Sequence, residues 1–551
     1  MVSRLSLFRQ DDFTGGLNLR SDQFQLAQNE SPDLLNMEID PRGGLFSRGA
    51  MKRRNTSAVA ASWTPRTIYP FYGSTRYAMI STATKIIASD TSNSNVTLQV
   101  SAVDVAVTAT YGASFAQWGN TCYIAVGSGG AAGYKYMSGS SVTALTVSAT
   151  GAWQESYQTP TGQHMPKADL VISHAGKLFV ANTNENATAF PNRLRWSHPN
   201  NPENWASLDY IDINDGASGI TALASFNGVL LIFKENATYA LLGYDTTTFQ
   251  VVEVSRKIGC LSSQCVAVTE RGVFFWSATD GLIWYNGKGL VNIFEPLVTA
   301  IQLNQINSTA KTAHYVNELA GRIWVSVPYS TTSTVTYPST SFVYDPSIGR
   351  SGTWTRFANT VSATNYGIAG GCTFILSTGE VLRLALHPSQ AAIMKVDDYT
   401  SDTDSITTTS SSETYTSYYR TRWIDGGSYS QKKMFRRPDF VLKQVGTTRT
   451  LTVDVYHDYE ESAGGVQKSM TVPLSATNSS AGALALVWGV GQWGVNYWSS
   501  PNVGSFVKTV STIGLARSAQ LVLNGPSGSS GSRYWGIDSM TLKYSPRKVK
   551  A

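Results

Sequence analysis

From about residue 60 onward, apolar and small polar residues alternate in short runs that are broken by clusters of Gly, Asn, Asp and Ser. A period of two places alternate side chains on opposite faces of an extended chain, and the aromatic and β-branched content of these runs favours strand over helix. Helical periodicity is scarce. The two best stretches are SPDLLNM, with Ser31 as N-cap and Pro32 at the first helical position, and EPLVTAIQLNQI from Glu295. The pattern predicts an all-β protein.

Within that pattern a unit recurs in which a small turn is followed by a strongly apolar strand and then a second one. Examples are GNTCYIAVGSGGAAGYKYM from Gly119, GKLFVANTNENATAFPNRLRWS from Gly176, GVLLIFKENATYALLG from Gly228, GVFFWSATDGLIWYNG from Gly272 and GRIWVSVPYSTTSTVTYPSTSFVYD from Gly321. Less regular copies begin at Ser74 and Cys372, and successive starts lie roughly 43 to 57 residues apart. Units of this length with several strands each bury their apolar faces by stacking on neighbours, which predicts a β-propeller of six or seven blades over residues 59–396. Residues 397–417 are rich in Ser and Thr and read as a linker or loop. Six or more strand candidates over 418–546 suit a β-sandwich-like domain. Residues 1–58 read as an N-terminal assembly arm, and 547–551 as a basic tail.

Composition narrows the classes. At 551 residues, with 42% hydrophobic and 15% charged, the chain has ample material for a core and is not disordered. A net charge of +6 is too mild to imply a dedicated nucleic-acid binder. Four scattered cysteines, Cys122, Cys260, Cys265 and Cys372, fit a reduced compartment and no metal site. Arg4 and Arg9 interrupt the opening apolar residues, and no long apolar run follows. The expectation is therefore a soluble chain made in the cytoplasm, without stable membrane insertion.

Candidate chemistry is thin. GSGGAA at 127–132 has dinucleotide-loop spacing, but no helix follows to hold a pyrophosphate, so it reads as a blade loop. SATDGLIW from Ser277 resembles an Asp-box turn with Asp280 one residue late, and such turns are structural. Glu235, Glu253, Glu270, Asp280, Glu295 and Glu318 form no pair recognisable as a glycosidase site. The six histidines show no metal spacing. No catalytic residue, cofactor or metal is expected. Trp488, Trp493 and Trp498 are candidates for aromatic packing or an interface. Basic side chains cluster at Arg42, Arg48, Lys52, Arg53 and Arg54, and again at Arg420, Arg422, Lys432, Lys433, Arg436 and Arg437; Arg547, Lys548 and Lys550 follow in the tail. A charge run is commonly a solvated face; the functional alternative makes these residues candidates for docking on acidic surfaces of neighbouring subunits, since oriented charge steers protein association, and direct phosphate contact ranks last.

Several segments together resemble the tail nozzle proteins of short-tailed bacteriophages, also called tail tubular protein B or head-to-tail hub proteins. In Phe13 to Ala50 they are Gly15-Gly16-Leu17-Asn18, LLNM with Asn36, and Gly44-Leu45 followed by Arg48-Gly49. The others are NRLRWSHPNNPENW from Asn192, DGASGITALASFNGVLLIFKENATYALLG from Asp215 and IGCLSSQCVAVTERGVFFWSATDGLIWYNG from Ile258. The resemblance implies a virion structural protein located in the tail, six copies of which form a ring below the portal and adaptor. Such a ring passes double-stranded DNA transiently during genome ejection and presents surfaces to tail fibres or spikes. The alternative is a propeller tail protein that binds or degrades surface glycans. On the ring reading the basic arm docks on a neighbouring copy, and deleting residues 1–54 should leave a folded propeller that fails to form rings.

Overall fold

The structure is a computed structural model. It describes residues 5–547 apart from 56–57, 61, 131–132, 140, 146–163, 217, 298–304, 331–333, 350, 362–363, 399–403, 408–414, 444–449, 461–464, 475–504 and 527–534. Six antiparallel sheets of four consecutive strands cover residues 65–97, 114–144, 167–212, 220–255, 266–292 and 315–357. A seventh is built from three strands over 371–398 plus a fourth from far upstream, Ala50–Arg53. The first strands of all seven sheets lie side by side in a closed ring, so the chain is a seven-bladed β-propeller. Among the described residues the helical content is three short 3-10 turns, and no α-helix is present.

The strongly apolar strand of each sequence unit is the second strand of a blade. Val229–Lys234, Gly272–Ser277 and Arg322–Val327 are buried along nearly their whole length. A second strand is flanked by neighbouring blades on both faces, so it reads as an unbroken apolar run. The turn after Gly272–Ser277 is held by the Thr279 hydroxyl donating to Asp280 Oδ2 at 2.6 Å. Gly281 follows at φ +78°, and a Cβ there would stand 2.5 Å from the Phe294 ring, so glycine is required twice over.

Apart from three small two-stranded pairs, the remaining strands form a two-sheet sandwich, as expected, but a third of it comes from the N-terminus. Ser6–Gln10 and Leu45–Ser47 pair with Gly536–Pro546, and Met37–Ile39 pairs with Leu45–Ser47. Asp33–Leu35 forms the edge of the other sheet beside Tyr418–Arg420, followed by Ala519–Asn524, Thr450–His457 and Val466–Pro473. One hydrophobic core runs without a break from Phe13, Leu34, Met37 and Trp535 in the sandwich to Phe274, Trp276 and Phe294 in the fifth blade and Trp354 in the sixth.

Four expectations are corrected. Residues 1–58 are not a free arm: four of their strands belong to the sandwich and a fifth closes the propeller. SPDLLNM is not a helix but the two short strands Asp33–Leu35 and Met37–Ile39, separated by Asn36 at φ +55°. Ser31 caps nothing; its hydroxyl donates to the carbonyls of Asp33 and Arg420. Of the second helical stretch, Glu295–Leu297 is a single 3-10 turn and 298–304 lie outside the described residues. In the Ser/Thr-rich stretch, Asp404 and Ile406 are fully buried and Ser405 bridges Lys52, so that part is anchored structure.

Candidate functional site

The first strands of the blades enclose an axial cavity of about 500 Å³. Where these strands begin, hydrogen bonds cross the axis. The Gln264 amide donates to the Arg66 carbonyl at 2.9 Å, the Tyr315 hydroxyl to the Pro65 carbonyl at 3.1 Å, and Arg66 Nη1 to the Thr312 carbonyl at 3.4 Å. Burial pushes the Tyr315 phenol up to about 12, so it stays a donor. A space of this size fits a small molecule, not a duplex.

The basic residues of the N-terminal segment divide sharply. Arg48, a candidate docking residue, is fully buried: it forms a two-pronged pair with Asp404 at 3.0 and 2.6 Å and donates to Asn36 Oδ1 at 2.8 Å. It also donates to the carbonyls of Gly49 and Ala358, which uses all five guanidinium N–H groups, and lies 4.1 Å from the Tyr415 ring centroid. Burial works against its charge, but the Asp404 carboxylate outweighs that and holds the pKa above the ordinary value. Arg53 and Arg54 cap carbonyls of Asn55, Asp90 and Thr91, and Lys52 pairs with Asp398 at 3.4 Å. Arg42 is exposed but pairs with Asp40. The segment is thus an intramolecular clasp: Arg48 and Lys52 pair with Asp404 and Asp398, while Arg42 and Arg54 bond residues nearer in sequence.

Beside the clasp, Arg322 of the sixth blade joins three carboxylates: Glu38 at 3.3 Å from the sandwich, Asp345 at 3.6 Å, and Asp397 of the seventh blade at 3.8 Å. Arg383 reaches Asp397 at 3.2 Å. Burial first, and then the nearby Glu38 charge, push the Asp397 carboxyl up to about 6, against the opposing pull of Arg322, Arg383 and Arg48.

The second basic cluster also divides. Lys433 is buried and donates to the carbonyls of Ser428, Gln431 and Arg517 at 2.5, 2.8 and 2.9 Å, so it pins loops and docks nothing. Arg420 lies over Tyr456, and Arg422 donates to the Leu26 carbonyl at 2.8 Å. Lys432, Arg436 and Arg437 are exposed. Arg517, which the sequence reading passed over, is exposed next to them, and strand register was the one signal that could have found it. Trp488, Trp493, Trp498, Lys548 and Lys550 lie outside the described residues.

The other motifs resolve as structure. The Ser128 amide donates to Asp169 Oδ1 at 2.6 Å, so the GSGG turn is tied to the next blade. His314 and His387 are buried, pushed down to about 4 and about 3 by desolvation, and hydrogen-bonded to the Ala310 carbonyl and to Asn359. Among the described residues no three ligand-type side chains converge on a metal position. Glu270 and Glu318, unpaired in the sequence reading, line one groove of about 460 Å³ between the fifth and sixth blades. Glu318 already accepts from the Gly321 amide and the Thr373 hydroxyl.

No family model matches the chain, and no curated protein matches it by sequence. Solved structures similar to it include virginiamycin B lyase from Staphylococcus aureus, an inactive variant with quinupristin, at 10% identity and TM-score 0.37, over 63% of this chain and 98% of that one. The N-terminal domain of Nup159 is 10% identical with TM-score 0.34, over 66% and 98%. YCF48 bound to a D1 peptide is 9% identical with TM-score 0.31, over 62% and 97%. Likeness this remote transfers no ligand or activity to this chain.

Proposed function

We propose that this chain is a structural protein of a short-tailed phage virion, the subunit of a six-membered ring in the tail nozzle. The ring conducts double-stranded DNA during ejection and offers outer surfaces to the adaptor and to fibres or spikes. The observation that carries the reading is the clasp. Asn36, Arg48 and Gly49 belong to the opening segment that resembles nozzle proteins, and they converge on one buried site joining sandwich to propeller. A segment that fixes the angle between two modules suits a subunit whose two sides must meet different surfaces of its neighbours and close by rotation. The closed propeller axis supports the same reading, because it leaves conduction to a lumen between copies.

Negative-stain images and a solution mass of the full-length protein test this. Six-fold rings with an open centre are expected, and a monodisperse monomer at all concentrations and with adaptor present would sink it. The second reading, glycan binding or cleavage, draws on the groove shared by Glu270 and Glu318. Release of reducing sugar from host envelope polysaccharide, lost in Glu270→Gln, would favour it over the conduit.

A further inference from the structure

Strand Lys433–Phe435 lies between Gly514–Ala516 and Gly536–Pro546, with Lys433 opposite Ala516 on one side and Pro546 on the other. Lys432, Arg517 and Arg547 each sit one residue beyond these paired strand ends: the Arg547 amide donates to the Lys432 carbonyl at 3.0 Å, and Arg517 stands at the bend that follows Ala516. Three exposed cations therefore cluster where the ends of three adjacent strands meet. Arg436 and Arg437 continue the positive surface, with the Arg436 amide donating to the Lys543 carbonyl at 2.8 Å. The nearby carboxylates are hydrogen-bonded, and Asp425 accepts from the Gly427 amide at 3.1 Å. Asp439 accepts from Lys543 at 2.7 Å and from Thr509 at 2.6 Å, and Asp458 accepts from the Arg517 and Ser518 amides.

Along the rim of the same sheet runs Ser6–Gln10, whose described strand pairing is to Gly536–Pro546 alone; the Gln28 side-chain amide donates to its Arg9 carbonyl. Leu7, opposite Lys543, is 62% exposed, and Leu5 is 45% exposed. Like charges gathered at one place repel one another, and a rim strand with exposed leucines invites pairing. Both features weaken the isolated chain, and both become favourable against a partner of opposite charge with apolar side chains.

We propose that this face docks an acidic protein surface, with carboxylates against the Arg517–Lys432–Arg547 cluster and apolar side chains against Leu5 and Leu7. Leu5 and Leu7 favour protein over nucleic acid, since a phosphodiester backbone offers them nothing to bury against. The mixture of arginine with exposed apolar side chains is that of protein interfaces. The inference rests on the proposed function for one point only, that the partner is another tail component.

The test uses the full-length protein and fluorescence anisotropy. One probe is a labelled peptide alternating glutamate and leucine, a second carries glutamine for glutamate, and a third is a labelled DNA duplex. The glutamate peptide should bind at least tenfold more tightly than the glutamine peptide. Lys432→Glu should weaken it at least tenfold while the melting temperature of the free protein holds or rises, because a like-charge contact is removed. Arg547→Glu should behave the same way, and Leu7→Ser should weaken the peptide but not the duplex. Tighter binding of the duplex, with the same loss in Lys432→Glu, would overturn the assignment in favour of nucleic acid. Absence of peptide binding by the wild-type chain, or loss of binding accompanied by a fall in melting temperature in both charge variants, would overturn it outright. Mass measured on the same samples separates the two ideas: peptide binding without rings removes the nozzle reading alone, and rings without peptide binding remove the docking face alone.

Discussion

Asp397→Asn should stabilise this protein at neutral pH and do progressively less as the solution is acidified. Asp397 is buried where the seventh blade meets the N-terminal segment, and one of its oxygens has no hydrogen-bond partner. Its φ of +58° is a conformation that asparagine tolerates as well as aspartate, so the substitution introduces no backbone strain. The charged groups facing it are Glu38 from the sandwich side, Arg322 from the sixth blade, Arg383 from its own blade and Arg48 from the clasp. Burial and Glu38 outweigh the three arginines, and the carboxyl is raised to about 6 from an ordinary 3.8.

A raised acid pKa means that the folded chain holds the proton more tightly than the unfolded chain. The resulting stability is fully present below the unfolded value and is lost as pH rises through the folded one. At 1.36 kcal/mol per pH unit, ionised Asp397 costs about 3 kcal/mol at pH 7.5 and about 1 kcal/mol at pH 4.5. Asparagine mimics the neutral acid and should recover those amounts. Unfolding entropy of about 2.1 cal/mol/K per residue over a chain of this length converts the larger figure to a rise of about 2–3 °C. Melting curves of both proteins from mildly acid to mildly basic pH provide the assay. A variant less stable than wild type at pH 7.5, or a difference between the two that does not change with pH, would show that the arginines dominate and that the reasoning is wrong.

Other outcomes follow from the same packing. Arg48→Met leaves the buried Asp404 with the Met51 amide but no counter-charge and should cost about 3–5 kcal/mol, with part of the loss returned by adding Asp404→Leu; denaturant titration of both variants checks it. Gly49→Ala drives a Cβ to 2.8 Å from the Asp397 backbone carbon and should cost about 1–3 kcal/mol, visible as a lower melting temperature. Cys122, Cys260, Cys265 and Cys372 are all buried, with thiol pKa values pushed up by desolvation, in the case of Cys265 to about 12. A thiol reagent at pH 8 should therefore label none of them natively and all four in denaturant. Deletion of residues 1–54, expected from sequence to spare the propeller, should instead leave a protease-sensitive chain, because it removes the outer strand of the seventh blade along with four sandwich strands. A truncated protein with native-like protease resistance would contradict the clasp.

The blades were legible because their signal is local. A hairpin such as Gly272–Ser277 with Gly281–Tyr285 carries its apolar run, its turn and its return strand within a few residues. The clasp was not legible, because its meaning lies in partners at the far end of the chain. Asp33 faces Arg420, Lys52 faces Lys395, and Ser6 faces Tyr544. Ser31-Pro32 ahead of Leu34 and Leu35 is a fair local signal for a helix start, and it lost to a sheet edge that local sequence cannot show. Basic side chains misled for the same reason. Arg48 and Arg42 look alike in composition, yet one fills a buried fork of carboxylate and carbonyls and the other lies in solvent beside Asp40. The cluster formed by Arg517, Lys432 and Arg547 was invisible without register, since its members come from three separated stretches.

That topology also constrains how the chain reaches its folded state. The residues made first supply strands to a sandwich whose other strands are made last, and the strand that closes the propeller, Ala50–Arg53, must wait for Ile393–Asp398. Contacts so distant in sequence carry a large closure cost before any pairing offsets it, so the propeller cannot close before Ile393–Asp398 is available, nor the sandwich before its last strand, Gly536–Pro546. Both then complete around Arg48, which touches Asn36 and Asp404 in a single buried site. A propeller closed within its own segment would leave the sandwich free to swing. Closing it instead with a strand that emerges directly from the sandwich, five residues after Leu45–Ser47 begins, fixes the relation of the two modules. For a subunit that must present the cluster at Lys432 and a propeller flank to different neighbours at once, that fixed relation determines whether a ring can close.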